Sequence, residues 1–372
     1  MMPRKTSALV TAALTAGVLA TGGLASPASA AARGRFAPVP LPFFWPNNSL
    51  YDVDAASPDS VWIAGNQGEL VIPGPIPGTG QSIPGNPVVR RWKDARWVEY
   101  GLQNLSARGT IADVDAAGPE DVWITGPKYG SGDTATVTPY VAHFTGSRFE
   151  QVALPSGARA ADLQARADGV WVGTDGDVYR RTGDTWTHIT AIPDMQRYAS
   201  YIRADDDIWF LGTASRTDQT LAAHHWDGRS WRSVPVHEPV PGTGFTDMIA
   251  LSPTDAWATG ISYRTSPASP VLMHWDGTAW TGVTPPPGLN ALTRIVEGED
   301  GTLWALGHSL DEPAEPGLLR YGGGTWERVP TTAVPNRSNI YATALAVVPG
   351  TGALWTLGSV NIGGPVVLTD GP

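Results

Sequence analysis

The chain has 372 residues, 35 acidic against 25 basic side chains, no cysteine and a formal net charge of −10. The absence of cysteine excludes disulfides, thiolate metal sites and a cysteine nucleophile. An acidic chain without a basic run is a poor ligand for nucleic acid or anionic membranes.

The first element is MMPRKTSALVTAALTAGVLATGGLASPASA, a basic start at Arg4 and Lys5, an alanine-rich apolar stretch and a small-x-small close at Ala28-Ser29-Ala30. This is the pattern of a secretory signal peptide over residues 1–30, cut after Ala30. Small residues dominate it, Gly22 and Gly23 break the run, and no second apolar span follows. The expectation is a secreted protein without a membrane span. Removing the segment takes away two basic residues and no acidic one, leaving 23 against 35, a net charge of −12. The remaining 342 residues are enough to bury a large core without disulfides.

From there one phrase recurs: SVWIAG at Trp62, DVWITG at Trp123, GVWVG at Trp171, DIWFLG at Trp209, DAWATG at Trp257, TLWALG at Trp304 and ALWTLG at Trp355. The tryptophans are spaced by 61, 48, 38, 48, 47 and 51 residues. A second phrase follows the first six and ends in an aromatic, at Trp97, Phe149, Trp186, Trp231, Trp280 and Trp326. Alternating apolar runs and Asp-Gly or Gly-Gly turns give each unit four short strands. Four strands in 40 to 50 residues is the signature of a propeller blade. The fold class expected is all-β, a single seven-bladed β-propeller domain over residues 31–372.

The seventh unit stops at VVLTDGP, before an outer strand. Its missing piece lies at the other end, where Arg35 to Pro42 reads RFAPVPLP, like RFEQVALP in the outer strand of the second unit. Phe36 then supplies the seventh aromatic. The strand at 35–42 is expected to complete the C-terminal blade and close the ring.

The repeat also interprets its most reactive-looking motif, His-Trp-Asp-Gly at His225 and His274. Six residues before the second aromatic, the column reads Arg91, His143, Arg180, His225, His274 and Arg320, with Leu368 taken as its member in the split blade. Two residues before the first tryptophan it reads Ser60, Asp121, Gly169, Asp207, Asp255, Thr302 and Ala353. The three blades with His are the three with Asp. Such a pair, repeated round a ring, is expected to be a cross-strand scaffold contact rather than an active site. His188, His224 and His237 show no ligand spacing.

The unit ADGVWVGTDGDVYRRTGDTWTHI, Ala167 to Ile189, resembles a tectonin repeat, and the whole repeat pattern is similar to the tectonin-type, lectin-like propellers. The other units keep VW-x-x-G and DG-x-x-W with longer loops. The resemblance implies sugar binding through loops.

Candidate binding residues lie on the loops that join strands two and three and that lead into the next blade. Trp45, Tyr129, Tyr198 and Tyr263 have faces on which sugars stack, while Asn48, Arg264 and His308 can hydrogen-bond to hydroxyls. A second set begins the innermost strands: Asp52, Asp113, Asp162, Tyr201, Asp247 and Arg294. Alternation turns these toward the channel mouth. Converging there, the four aspartates could act as acid and base, hold a cation such as calcium, or simply bond to amides of their own turns. The expected function is a secreted lectin-like protein binding carbohydrate or a cell-surface polymer. The alternative is a polysaccharide lyase or glycoside hydrolase using the channel carboxylates. No cofactor is called for, and a monomer is expected.

Overall fold

The computed structural model describes residues 36–72, 74, 81–130, 136–159, 162–360 and 364–371. The signal-peptide reading of residues 1–30 lies outside these. Within them are seven antiparallel sheets of the expected blade type and no helix. Blade one takes Ser49–Ser57, Ser60–Gln67, Asn86–Lys93 and Arg96–Glu99; blade four takes Gln196–Ala204, Asp207–Thr213, Leu221–Trp226 and Trp231–Val234. In these, strand order follows chain order from the innermost strand outward, while blade two adds a fifth, parallel strand, Gly101–Leu102, outside Arg148–Gln151.

The seventh blade is the exception. Its outer strand is Ala37–Pro38, paired antiparallel with Gly364–Thr369 through Ala37↔Thr369 and Pro38↔Leu368. The amide of Val39 extends the ladder by donating to the Val367 carbonyl at 2.9 Å. Blade one also inserts a small hairpin, Leu70–Ile72 with Gln81–Ile83, between its second and third strands.

The repeated tryptophans explain why the blades form a ring. Seven apolar clusters fill the seams between neighbouring blades, and each contains one first-phrase tryptophan. That tryptophan meets the second-phrase aromatic of the following blade. Trp62 packs edge-on against Phe149 at 5.6 Å, Trp209 against Trp280 at 5.8 Å, Trp257 against Trp326 at 5.4 Å and Trp355 against Trp97 at 6.0 Å. Phe36 joins Trp304 in the cluster between blades six and seven, the same place in the pattern. Burying two large rings per seam, among the aliphatic side chains of each cluster, contributes to the apolar drive for closure.

The glycine that ends most copies of the first phrase has a steric cause. At Gly65, Gly212 and Gly307 a Cβ would stand 2.0, 1.9 and 2.0 Å from a carbonyl oxygen of the innermost strand. The innermost strands of blades one and five bulge at this level, between Leu50 and Asp52 and between Phe245 and Asp247. A bulge re-aims the residue that follows it. Here it delivers Asp52 and Asp247 to the channel.

Candidate functional site

The two sets of polar residues found in the sequence fall on opposite faces of the ring. On the face where strands one–two and three–four turn, Asp121, Asp207 and Asp255 accept from His143, His225 and His274 at 2.8, 2.8 and 2.9 Å. Each imidazole lies flat on its blade's tryptophan, with ring centroids 4.3, 3.9 and 4.2 Å apart. The same aspartate also accepts the indole N–H in two blades, Trp123 to Asp121 at 2.9 Å and Trp209 to Asp207 at 2.8 Å. In blades one and three an arginine takes the place of the histidine, with Arg91 over Trp62 and Arg180 over Trp171. Each aspartate and its imidazole thus satisfy one another within a single blade, as a framework contact does. His188, without ligand spacing in the sequence, bonds to Asp177 at 2.9 Å within blade three.

The loop face carries a cavity of about 780 Å³ over the channel mouth. Its floor is made from innermost strands: Asp113 and Asp115 of blade two, Asp162 of blade three, Tyr201 of blade four, Asp247 of blade five and Arg294 of blade six. Its rim comes from blades three and four, with Asp175, Met195 and Arg216 in loops and Tyr198 on the innermost strand of blade four. Tyr198 is 46 % exposed. Arg216 is exposed and has no ion-pair partner among the described residues.

Of the residues expected on loops, Tyr198 alone lines this cavity, and it, Tyr129 and His308 stand on strands instead, in Gln196–Ala204, Asp121–Tyr129 and Leu303–Ser309. Trp45, 60 % exposed, packs edge-on against Phe43 at 5.6 Å, and its amide donates to Gln67 Oε1 at 3.1 Å. Asn48 donates to the Trp45 carbonyl at 2.8 Å and lines a separate groove with Leu41, Phe44 and Pro365. Tyr129 is half-buried, its amide bonded to the Arg108 carbonyl at 2.8 Å. Tyr263 is 79 % exposed, and the neighbouring Arg264 lies across Gly242, where a Cβ would be 2.1 Å from its Cγ. His308 meets the Ala342 carbonyl at 3.2 Å, and burial holds its pKa below the ordinary histidine value.

The channel carboxylates are used differently from the own-turn bonding open to them in the sequence. Asp52 accepts the Val114 amide at 3.0 Å, Asp54 that of Ala116 at 2.7 Å and Asp115 that of Ala165 at 3.1 Å. Asp247 accepts the Ile295 amide at 2.9 Å and also takes an amide next to itself, that of Met248, as Asp54 does with Ala55. Asp162 accepts the Ser200 hydroxyl. In each case an innermost strand is stitched to that of the next blade. Asp54 and Asp115 were missed in the sequence. They stand two residues beyond Asp52 and Asp113, so the Asp-Val-Asp alternation was the available signal.

So many carboxylates facing one channel cannot all be charged cheaply. Each keeps some surface toward the channel and is otherwise surrounded by protein. Burial, with smaller contributions from neighbouring charges, raises Asp54 to about 7. Burial and then the charge of Asp115 and Asp52 hold Asp113 well above the usual range, and burial, Asp54 and Asp52 do the same for Asp115. Burial also raises Asp162 and Asp247. Arg294 reaches over the channel to Asp52, Nη2 to Oδ1 at 3.1 Å. Burial disfavours its charge, but Asp52, Asp247, Asp113 and Asp115 outweigh that and keep it firmly protonated. Among the described residues no three His, Asp or Glu side chains are arranged to hold a metal ion.

Fold and repeats together define a seven-bladed β-propeller with a cavity at one end of its channel. Solved propeller structures agree with that class. The chain is similar to a structure described as the extracellular domain of a hybrid two component system from B. thetaiotaomicron, with 11 % identity and a TM-score of 0.54. That match covers 91 % of this chain and 42 % of the other, so the chain spans less than half of that neighbour. It is also similar to the β-propeller domain of the Trilobed protease from Pyrococcus furiosus, with 11 % identity, a TM-score of 0.52 and coverage of 89 % and 95 %. That domain is described as having an open velcro topology. Likeness at this level of identity speaks for the fold alone. No protein-family model and no curated protein matches the chain. Among the described residues no helix is long and apolar enough to cross a membrane.

Proposed function

We propose that the protein is a secreted binding protein that takes a carbohydrate, or a segment of a cell-surface polymer, into the cavity at the channel mouth. The observation that carries this reading is the cavity itself: about 780 Å³, with a half-exposed Tyr198 and an unpaired Arg216 at its rim above a polar floor. That volume lies within the range of small-ligand sites, and such sites combine a stacking surface with a few directed polar groups. The tectonin-like unit, Ala167 to Ile189, is blade three, whose residues Asp162 to Arg166 and Asp175 form one wall. The signal-like residues 1–30 and the extracellular neighbour support action outside the cell.

A second reading, a polysaccharide lyase or glycoside hydrolase, is favoured by one feature. Burial and the neighbouring Asp115 and Asp52 raise the pKa of Asp113, the direction a general acid requires.

A glycan array together with a polysaccharide digestion screen separates the two. For a binding protein, Tyr198→Ala weakens glycan affinity by about 0.5–1.5 kcal/mol, the worth of an aromatic contact. Tyr263→Ala, away from the cavity, leaves it unchanged. If no glycan binds, or Tyr198→Ala binds like the parent, the carbohydrate reading fails. For an enzyme, Asp113→Asn keeps binding and lowers turnover by about 10²–10⁴-fold.

A further inference from the structure

The seams of the ring are not equally fastened. Between blades one and two, the Asp52 and Asp54 carboxylates accept the amides of Val114 and Ala116. Asp115 and Gln164 continue the pattern into blades three and four, through the amides of Ala165 and Ile202. Asp247 joins blade five to six, and Thr293 donates from blade six to the Ala342 carbonyl of blade seven. Two seams lack such a bond among the described residues: none joins Gln196–Ala204 to Thr243–Ser252 between blades four and five, and none joins Tyr341–Val347 to Ser49–Ser57 between blades seven and one.

Blade seven is also the blade whose outer strand comes from the far end of the chain. That strand pairs over two residues, where the outer strand of blade three runs from Thr185 to Ala191. The N-terminal segment is otherwise held by the buried ring of Phe36 and by Trp97, which donates to the Pro40 carbonyl at 3.1 Å. Apolar packing there is good, but it is non-directional and does not fix a seam as a hydrogen-bonded strand does.

One polar contact passes over this blade. Arg294 belongs to blade six and Asp52 to blade one, the two neighbours of blade seven. Their bond at 3.1 Å is shielded, with 28 % of the arginine and 10 % of the aspartate side chain exposed. The other oxygen of Asp52 is committed to the Val114 amide of blade two, so the carboxylate cannot turn away freely. Surrounding carboxylates keep Arg294 charged.

We infer that Arg294 and Asp52 form a latch that holds the ring shut across the seventh blade, substituting for the side-chain bond that the seam between blades seven and one lacks. The latch goes beyond the proposed function, because it concerns closure of the frame and would operate with any ligand.

Hydrogen exchange read by mass spectrometry tests it on the full secreted chain. Breaking a shielded pair leaves a buried charge unpaired, so Arg294→Met should raise opening substantially. The expected result is exchange faster by about tenfold or more in residues 37–39, 341–347 and 364–369, with blades three and four unchanged. Asp52→Asn should produce the same pattern, and the double variant should be little worse than either single one, as coupled partners require. If Arg294→Met does not fold, Arg294→Lys, which keeps the charge but shortens the reach, should show the same local pattern in weaker form. Exchange that rises evenly round the ring, or only in residues 289–297, or effects that simply add in the double variant, would overturn the latch.

Discussion

Asp207 and Asp113 are the same residue type, each on a repeated column of the ring, yet the two faces of the propeller treat them in opposite ways. Burial pushes Asp207 up, but hydrogen bonds from His225 and Arg203 outweigh it and leave its pKa below the ordinary value. Asp113 is buried beside Asp115 and Asp52, and its pKa stands well above it. One face spends each carboxylate on a histidine of its own blade, and in two blades on the tryptophan as well. The other gathers carboxylates from several blades round one channel, with Arg294 reaching Asp52 from blade six and Arg197 near Asp162 from blade four. Local pairing makes framework, and convergence with unmet charge makes a place where a ligand or a proton can act.

The sharpest way to break this contrast is to remove the ring that creates it. Deleting residues 36–42 takes away Phe36 and uncovers the edge of Gly364–Thr369. Losing a buried phenylalanine alone costs about 3–5 kcal/mol, and a bare strand edge templates aggregation. Loss of cooperative melting or aggregation in a thermal scan is expected; a truncated protein that melts like the parent would show that the N-terminal strand does not close the ring.

A smaller effect tests the framework face. His274→Ala leaves Asp255 without its partner, at a cost of about 1–3 kcal/mol measured by denaturant unfolding. Ligand binding per folded molecule should not change, and the same holds for His225→Ala. Loss of binding at unchanged stability would move these histidines from the frame to the site.

The last effect concerns the channel face. Asp54, Asp113, Asp115, Asp162 and Asp247 all hold protons more tightly in the folded state than in an unfolded chain. Their contribution is therefore fully present below the ordinary carboxylate pKa of 3.8, and it is lost as pH rises through the folded values, near 7 for Asp54. The melting temperature measured by calorimetry should fall between pH 5 and pH 8, and Asp54→Asn should flatten that slope. A melting temperature that rises over the same interval would contradict the raised values.

Much of the fold was legible because its signals are local and repeated. The strand count follows from alternation and turns, and the blade count from seven tryptophan phrases. The pairing of Asp with His could be read by comparing columns, since both belong to one blade and one hairpin. The site was harder. Asp113, Asp162 and Asp247 could be directed to the channel by strand alternation, but Asp54 and Asp115 were passed over one step further along the same strands. Of the exposed aromatics, nothing local distinguishes Tyr198 at the cavity rim from Tyr263, which stands away from it.

The sequence by itself determined the all-β class, the seven units, the kinship of Arg35 to Pro42 with an outer strand, and the three His–Asp pairs. Each depends on contacts within one hairpin or on similarity between repeats, so spacing alone is enough. Only the tertiary structure decided which aromatic of one blade meets which tryptophan of the last, that the channel aspartates bond to the next blade's amides, and that Arg294 reaches Asp52. Those contacts join residues from different blades, up to 242 positions apart for Arg294 and Asp52. They exist because a closed ring brings its first and sixth blades to the same channel, and periodicity along the chain carries no information about what stands across it.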